Sequence, residues 1–161
     1  MCEYCGCQAL ETIDELTQEH DEVVRLISHL RDAHRHGGVT RMAELAREIA
    51  RVLGPHTRVE EHGLFPALAG DFPDQIAALE AEHRRIEAVL AEASGAFLTD
   101  PTWPGRLMEA MAVLRDHILK EQDGVFPAAL ANLSIEQWEA VEAARLAAGS
   151  TLSRPGRLTS R

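Results

Sequence analysis

Apolar residues recur along most of the chain at alternating spacings of three and four, the stripe left by a helix that buries one side. Ile13, Leu16, His20, Val23, Ile27, Leu30 and His34 form the first stripe, from Thr12 to a stop at Gly37-Gly38. Met42, Leu45, Ile49, Val52, His56 and Val59 form the second, from about Thr40. Ile76, Leu79, His83, Ile86, Leu90, Ala93 and Phe97 form the third, after the turn Asp71-Phe72-Pro73-Asp74. Leu107, Met111, Leu114, His117 and Glu121 form the fourth, after a loop from Thr99 to Gly105. A shorter amphipathic helix (Ile135, Trp138, Val141) opens at Ser134 with a Ser-x-x-Gln capping box.

The third stripe repeats the first at a distance of 63 residues, so His83 matches His20. The ends of the second and fourth stripes also match. His56 to Ala67 and His117 to Ala128 share His, Glu, Gly, Phe, Pro and Ala at the same offsets. A His four residues before a Glu places both side chains on one helical face. Gly63 and Gly124, with Pro beyond, predict left-handed helix stops. Gly54-Pro55 predicts a bend before His56, either merely tolerated or aiming that imidazole. The pattern predicts an all-α fold: an antiparallel up-down four-helix bundle built from two repeated helical hairpins, plus a short C-terminal helix. Residues 1–11 form a Cys-containing lead, 12–150 the bundle with its appended helix, and 151–161 a basic, flexible tail.

Helix rise sets the heights of the polar seam residues. His20 stands about 12 Å from the start of its helix, and His56 about 10 Å from the end of the next. In an antiparallel hairpin those ends adjoin, so His20, His56, Glu60, His83, His117 and Glu121 fall in one interior layer. A buried carboxylate without a partner costs on the order of several kcal/mol, and a buried imidazole leaves two polar nitrogens to satisfy. A metal-free His–Glu network, or exposure of some of the histidines, are the bland alternatives; four His and two Glu at duplicated spacing favour metal. Imidazole and carboxylate without thiolate suit iron or manganese better than a structural zinc. Two Glu as bridges and two pairs of His predict two ions with open positions for a small molecule.

Composition narrows the picture. The chain has 161 residues and a formal net charge of -10, which argues against nucleic acid and anionic membranes as partners. No apolar run approaches the roughly 20 residues that span a bilayer. The N-terminus lacks the basic and apolar regions of a signal peptide, and a cytoplasmic location is expected. All three cysteines, Cys2, Cys5 and Cys7, lie in the first seven residues and imply no disulfide framework. They could hold a soft metal, pass electrons to an oxidised centre, or be incidental thiols; Tyr4 sits among them.

The order His, His-x3-Glu, His, His-x3-Glu, with its trailing Gly-[Leu/Val]-Phe-Pro, resembles the hemerythrin-like (HHE cation-binding) superfamily over roughly residues 12–130. The resemblance implies a non-haem di-iron centre, oxo- or hydroxo-bridged, with Glu60 and Glu121 bridging and His20, His56, His83 and His117 as terminal ligands. Manganese or zinc could substitute. The oxygen carriers of that family have a His four residues after the third-helix His, where this chain has Glu87, and an Asp where it has Gln122. The four-His, two-Glu pattern looks more like bacterial members tied to peroxide or nitric oxide handling and to iron-centre repair. The expected function is binding, and turnover in a catalase-like or other oxidoreductase sense, of a small oxidant: H2O2, O2 or NO. The alternatives are a non-enzymatic oxygen or redox sensor or carrier, and iron storage or donation. Glu87 is expected as an extra ligand, as an acceptor behind the ligands and proton-transfer group, or as a solvated flank residue. Glu19, Asp21, Glu61, Glu82 and Asp116, beside the ligands in sequence, are expected mostly on the surface, and His29, His34, His36 and His62 as ordinary polar residues.

Overall fold

The structure, a computed structural model, describes residues 6–95 and 99–149. The chain forms α1 (Cys7–Arg35), α2 (Val39–Val59), a π segment (Glu60–Leu64) and α3 (Phe65–Leu68). It returns through α4 (Pro73–Ala91), α5 (Trp103–Lys120), a second π segment (Glu121–Val125), α6 (Phe126–Asn132) and α7 (Ile135–Ala148). No strand occurs among the described residues. α1 pairs with α2 and α4 with α5, and the two hairpins close the bundle through α2 against α4 and α1 against α5.

The turn of the first hairpin is set by Gly37, whose φ of +68° is a left-handed value that favours glycine. α5 starts at Trp103, inside the expected loop, with Pro104 in its first turn where no backbone N–H is needed. α1 begins at Cys7, five residues before the stripe does. Pro55 sits inside an uninterrupted α2. Phe97, the Cys2 and Cys5 part of the lead, and the tail from Thr151 lie outside the described residues.

Gly63 and Gly124 do not stop their helices. Neither has a positive φ, and each lies within a π segment that runs on into a further helix. In α geometry the ring of Pro66 would strike the carbonyl four residues back, and likewise for Pro127. The wider π turn relieves this, with the Phe65 N–H bonding the Glu60 carbonyl and the Phe126 N–H the Glu121 carbonyl, five residues back. Both bulges therefore begin at the two glutamates of the polar layer.

The core has two apolar clusters. One gathers Ile27, Leu30, Met42, Ile49, Trp103 and Leu107 towards one end. The other gathers Leu16, Leu64, Phe65, Leu79, Phe126 and Val141 towards the opposite end. Along their helices His20, His56 and His83 fall between the two, as does Glu121, which lies between Ile118 and Phe126. α7 opens with the Ser134 capping box, in which the Ser134 hydroxyl accepts from the Gln137 N–H and the Gln137 side chain from the Ser134 N–H. It seals the second cluster: buried Arg145 donates to Thr12 Oγ1 at 2.9 Å and pairs with Glu15, tying α7 to α1. Among the described residues no helix is long and apolar enough to cross a membrane.

Candidate metal centre

Packing the two hairpins brings the six seam residues together. His20, His56, Glu60 and Glu121 offer ligand atoms within 4.8 Å of one another, and so do Glu60, His83, His117 and Glu121. Both carboxylates are shared between the groups, each of which adds one pair of imidazoles. Glu60 Oε1 lies 2.8 Å from His56 Nε2, and Glu60 Oε2 lies 3.2 Å from His83 Nε2. Glu121 Oε1 lies 3.0 Å from His117 Nε2 and 3.3 Å from His20 Nε2. All six side chains are buried, and Glu60 and Glu121 are wholly so.

The donor atoms are close but not satisfied. Among the described residues, both oxygens of Glu60, both of Glu121, and Nε2 of His56 and of His117 find no partner in hydrogen-bond geometry. Orphaned buried polar atoms are costly, and six that converge with matched chemistry fit a cation. The donor set, imidazole nitrogen and carboxylate oxygen, suits first-row metals.

Three of the four imidazoles are oriented from behind. Gln122 Oε1 is 3.0 Å from His20 Nδ1, Glu61 Oε1 2.9 Å from His83 Nδ1, and Glu82 Oε2 2.7 Å from His117 Nδ1. Glu19 Oε1 stands 3.6 Å from His56 Nδ1, longer than a good hydrogen bond. An outer acceptor fixes the ring and raises the basicity of the nitrogen facing the ion. Arg84 and Lys120 extend two of these contacts by pairing with Glu61 and Glu82. Phe126 stacks on His20 at 5.4 Å and Phe65 on His83 at 5.7 Å, each phenyl ring from the opposite hairpin.

The expectation that most of the residues beside the ligands face solvent fails for Glu19, Glu61 and Glu82. A residue one step from a ligand turns about 100° around its helix, the angle of a 3.6-residue turn. In a four-helix layer that direction is the neighbouring helix and its imidazole. A signal was present: both copies carry a polar side chain before the first-helix His (Glu19, Glu82) and after the Glu (Glu61, Gln122). Asp21 and Asp116 are exposed, as are His29, His34, His36 and His62, so His34 leaves the seam at the end of α1.

Glu87 is in neither donor group. Its exposed carboxylate lies 3.3 Å from Arg84 Nε and borders a small space against the donor layer, lined also by Thr57, Leu53, Ile86, Leu114 and Ile118. The space measures about 10 Å³, room for about one water-sized molecule. Cys7 is exposed at the start of α1; Cys2, Tyr4 and Cys5 lie outside the described residues.

Burial opposes charge on His83, but Glu60 and Glu61 outweigh it and raise the imidazole to about 9. His56 is likewise held well above its ordinary value, burial being outweighed by Glu60, Glu19 and Glu121. Burial would raise Glu60, yet His56 and its other neighbours bring it well below the usual carboxylate range. The layer therefore keeps protons on imidazoles that a cation must displace. Loading ferrous iron near about pH 7 should release protons, and affinity should fall as pH is lowered. Calorimetry in buffers of different ionisation enthalpy reads this directly; release of no proton would contradict it. Without metal, the His83 contribution to stability is complete below about pH 6.5 and lost as pH rises through about 9.

The outer acceptors give a second expectation. Glu82→Ala should weaken cation affinity by about 10–100-fold, and exposed Asp116→Ala should not. Competition against a chelator of known affinity distinguishes the two, and equal affinities would remove Glu82 from the centre.

A family model described as hemerythrin HHE cation binding domain matches residues 11–129, a span that includes all six buried donors. No curated protein and no solved structure matches the chain.

Proposed function

Since the chain belongs to the hemerythrin HHE cation-binding domain family, we propose that its buried layer holds two iron ions and that the loaded protein binds and turns over a small oxidant. Hydrogen peroxide is the first candidate, then O2 or NO, with a role in oxidative or nitrosative stress in the cytoplasm. The observation that carries the reading is the sharing of Glu60 and Glu121 between two donor groups, each completed by its own pair of histidines. Two iron ions there would supply redox chemistry and open coordination positions.

The chain's own residues would divide the remaining work. Nε2 of His20 and His56, and of His83 and His117, would bind from opposite sides, with the two carboxylates between them. Gln122, Glu61 and Glu82 hold three of the rings by Nδ1, which fixes the tautomer that leaves Nε2 free as a donor. Leu53, Ile86, Leu114 and Ile118 give the small space apolar walls, and its room for about one water-sized molecule favours the smallest ligands. Glu87, at its border and in contact with solvent, would move protons between that space and the surface.

Peroxide added to iron-loaded protein should give one O2 for every two H2O2 consumed. A His56→Ala/Glu60→Ala control should release none. If loaded protein releases no more than the control, the catalase-like version is rejected, and a ligand spectrum without turnover would favour the carrier or sensor reading. Elemental analysis with an absorption spectrum decides whether iron, manganese or zinc is loaded. Iron that leaves to an acceptor under reductant would favour donation.

A further inference from the structure

The internal repeat gives the bundle two equivalent grooves at one end. The first runs between the start of α1 and the first π segment, and α7 lies in it. A Cβ on Gly63 would meet Val141 Cα at 3.0 Å, so glycine there permits a close helix crossing. Arg145 completes the contact through Thr12 and Glu15. The second groove runs between the start of α4 and the second π segment. It has a volume of about 410 Å³ and is lined by Phe72, Ile76, Leu79 and Val125, with Phe72 37% exposed at its rim.

The two grooves correspond residue by residue through the repeat, and the second retains a crossing glycine. Gly124 occupies the position of Gly63, yet nothing lies within 4 Å of where its Cβ would stand. Its φ is not positive, so the backbone does not call for glycine, and glycine inside a helix weakens it relative to alanine. Two substitutions change the charge of the groove. Ala78 stands where Glu15 receives Arg145, and Lys120, also paired with Glu82, stands where the first groove has Val59.

We propose that this second groove is a docking site for an amphipathic helix of a partner protein, laid across Gly124 as α7 is laid across Gly63. The partner helix presents an aliphatic face with a short side chain at the crossing. Where α7 turns Arg145 towards Glu15, the partner helix carries an uncharged side chain, because Ala78 stands at that position.

The probe is a synthetic peptide of residues 134–149 carrying Arg145→Ala, titrated into the full chain and followed by fluorescence anisotropy. Binding should weaken by at least about tenfold in Gly124→Leu and in Ala78→Arg, which fill the groove from its two walls. Both positions face open space or solvent, and unchanged helical content verifies that the fold is kept. Binding that survives both substitutions would mean that the peptide displaces α7 instead, and would overturn the proposal, as would no binding at all. A chain that sediments as a dimer and becomes monomeric with Gly124→Leu would give the groove to a second copy, and would also overturn it.

Discussion

Glu60→Ala is expected to empty both of the proposed ion positions, not one. The two oxygens of this carboxylate face different imidazoles, Oε1 towards His56 at 2.8 Å and Oε2 towards His83 at 3.2 Å, and the residue belongs to both donor groups. Its loss removes an anionic donor from each side and leaves neighbouring imidazoles whose raised proton affinity its charge had supported. Affinity should drop by more than about a hundredfold, beyond what loss of an outer partner costs. His20→Ala is the contrast, because His20 contributes to one group only. Metal per chain should fall near zero in the first variant and to about half in the second, as inferred from two-ion sharing. A Glu60→Ala protein that retains one tightly held ion would refute the shared-carboxylate arrangement.

Gly63→Leu should be the most damaging substitution outside the polar layer. The first atom of the new side chain would stand 3.0 Å from Val141 Cα and 3.4 Å from Ala144 Cβ. A backbone atom cannot rotate away, so α7 has to lift, exposing Trp138 and Val141 and pulling Arg145 from Thr12. Overpacking costs about 1–3 kcal/mol and each large side chain returned to water about 1.5–3, so a total loss of roughly 3 kcal/mol or more is expected. The repeat supplies its own control. Gly124→Ala meets no neighbour and should stabilise the chain by up to about 1 kcal/mol, the ordinary gain of alanine over glycine in a helix. Denaturant midpoints of the two variants should therefore move in opposite directions; a shared direction would show that α7 does not bear on Gly63 in solution. Gly63 lies three residues past Glu60 in the same π segment, so cation affinity should fall with stability in Gly63→Leu alone.

How much of this was legible in the sequence differs from element to element. The bundle and the common height of the six polar seam residues follow from periodicity and helical rise, because a long helix leaves little freedom in where a seam residue lands. Membership in a cation-binding family follows the same residues. The π segments were not legible. Gly followed by an apolar residue and Pro satisfies the rule for a helix stop, and only the packing of Leu64, Phe65 and Phe126 into the core shows that the chain continues. The outer acceptors were not legible because the periodicity of one helix says nothing of its neighbour. Glu61 and Glu82 point away from the face of their own helix and onto a ligand of the next, a relation that exists only after the hairpins pair. For Glu87 the sequence left a ligand role open; the fold puts its carboxylate at the border of the small space, beside Arg84.

The sharing of donors across the hairpins has a mechanical consequence. His20 and His56 come from the first half of the chain and Glu121 from the second, while Glu60 crosses the other way to His83 and His117. Occupancy of the centre and cohesion of the two halves are thus a single equilibrium. An ion that binds only the assembled form adds stability in proportion to the logarithm of its free concentration. Resistance to prising the halves apart would then follow the supply of metal around the protein, so that scarcity is felt first as a loosening of the whole chain.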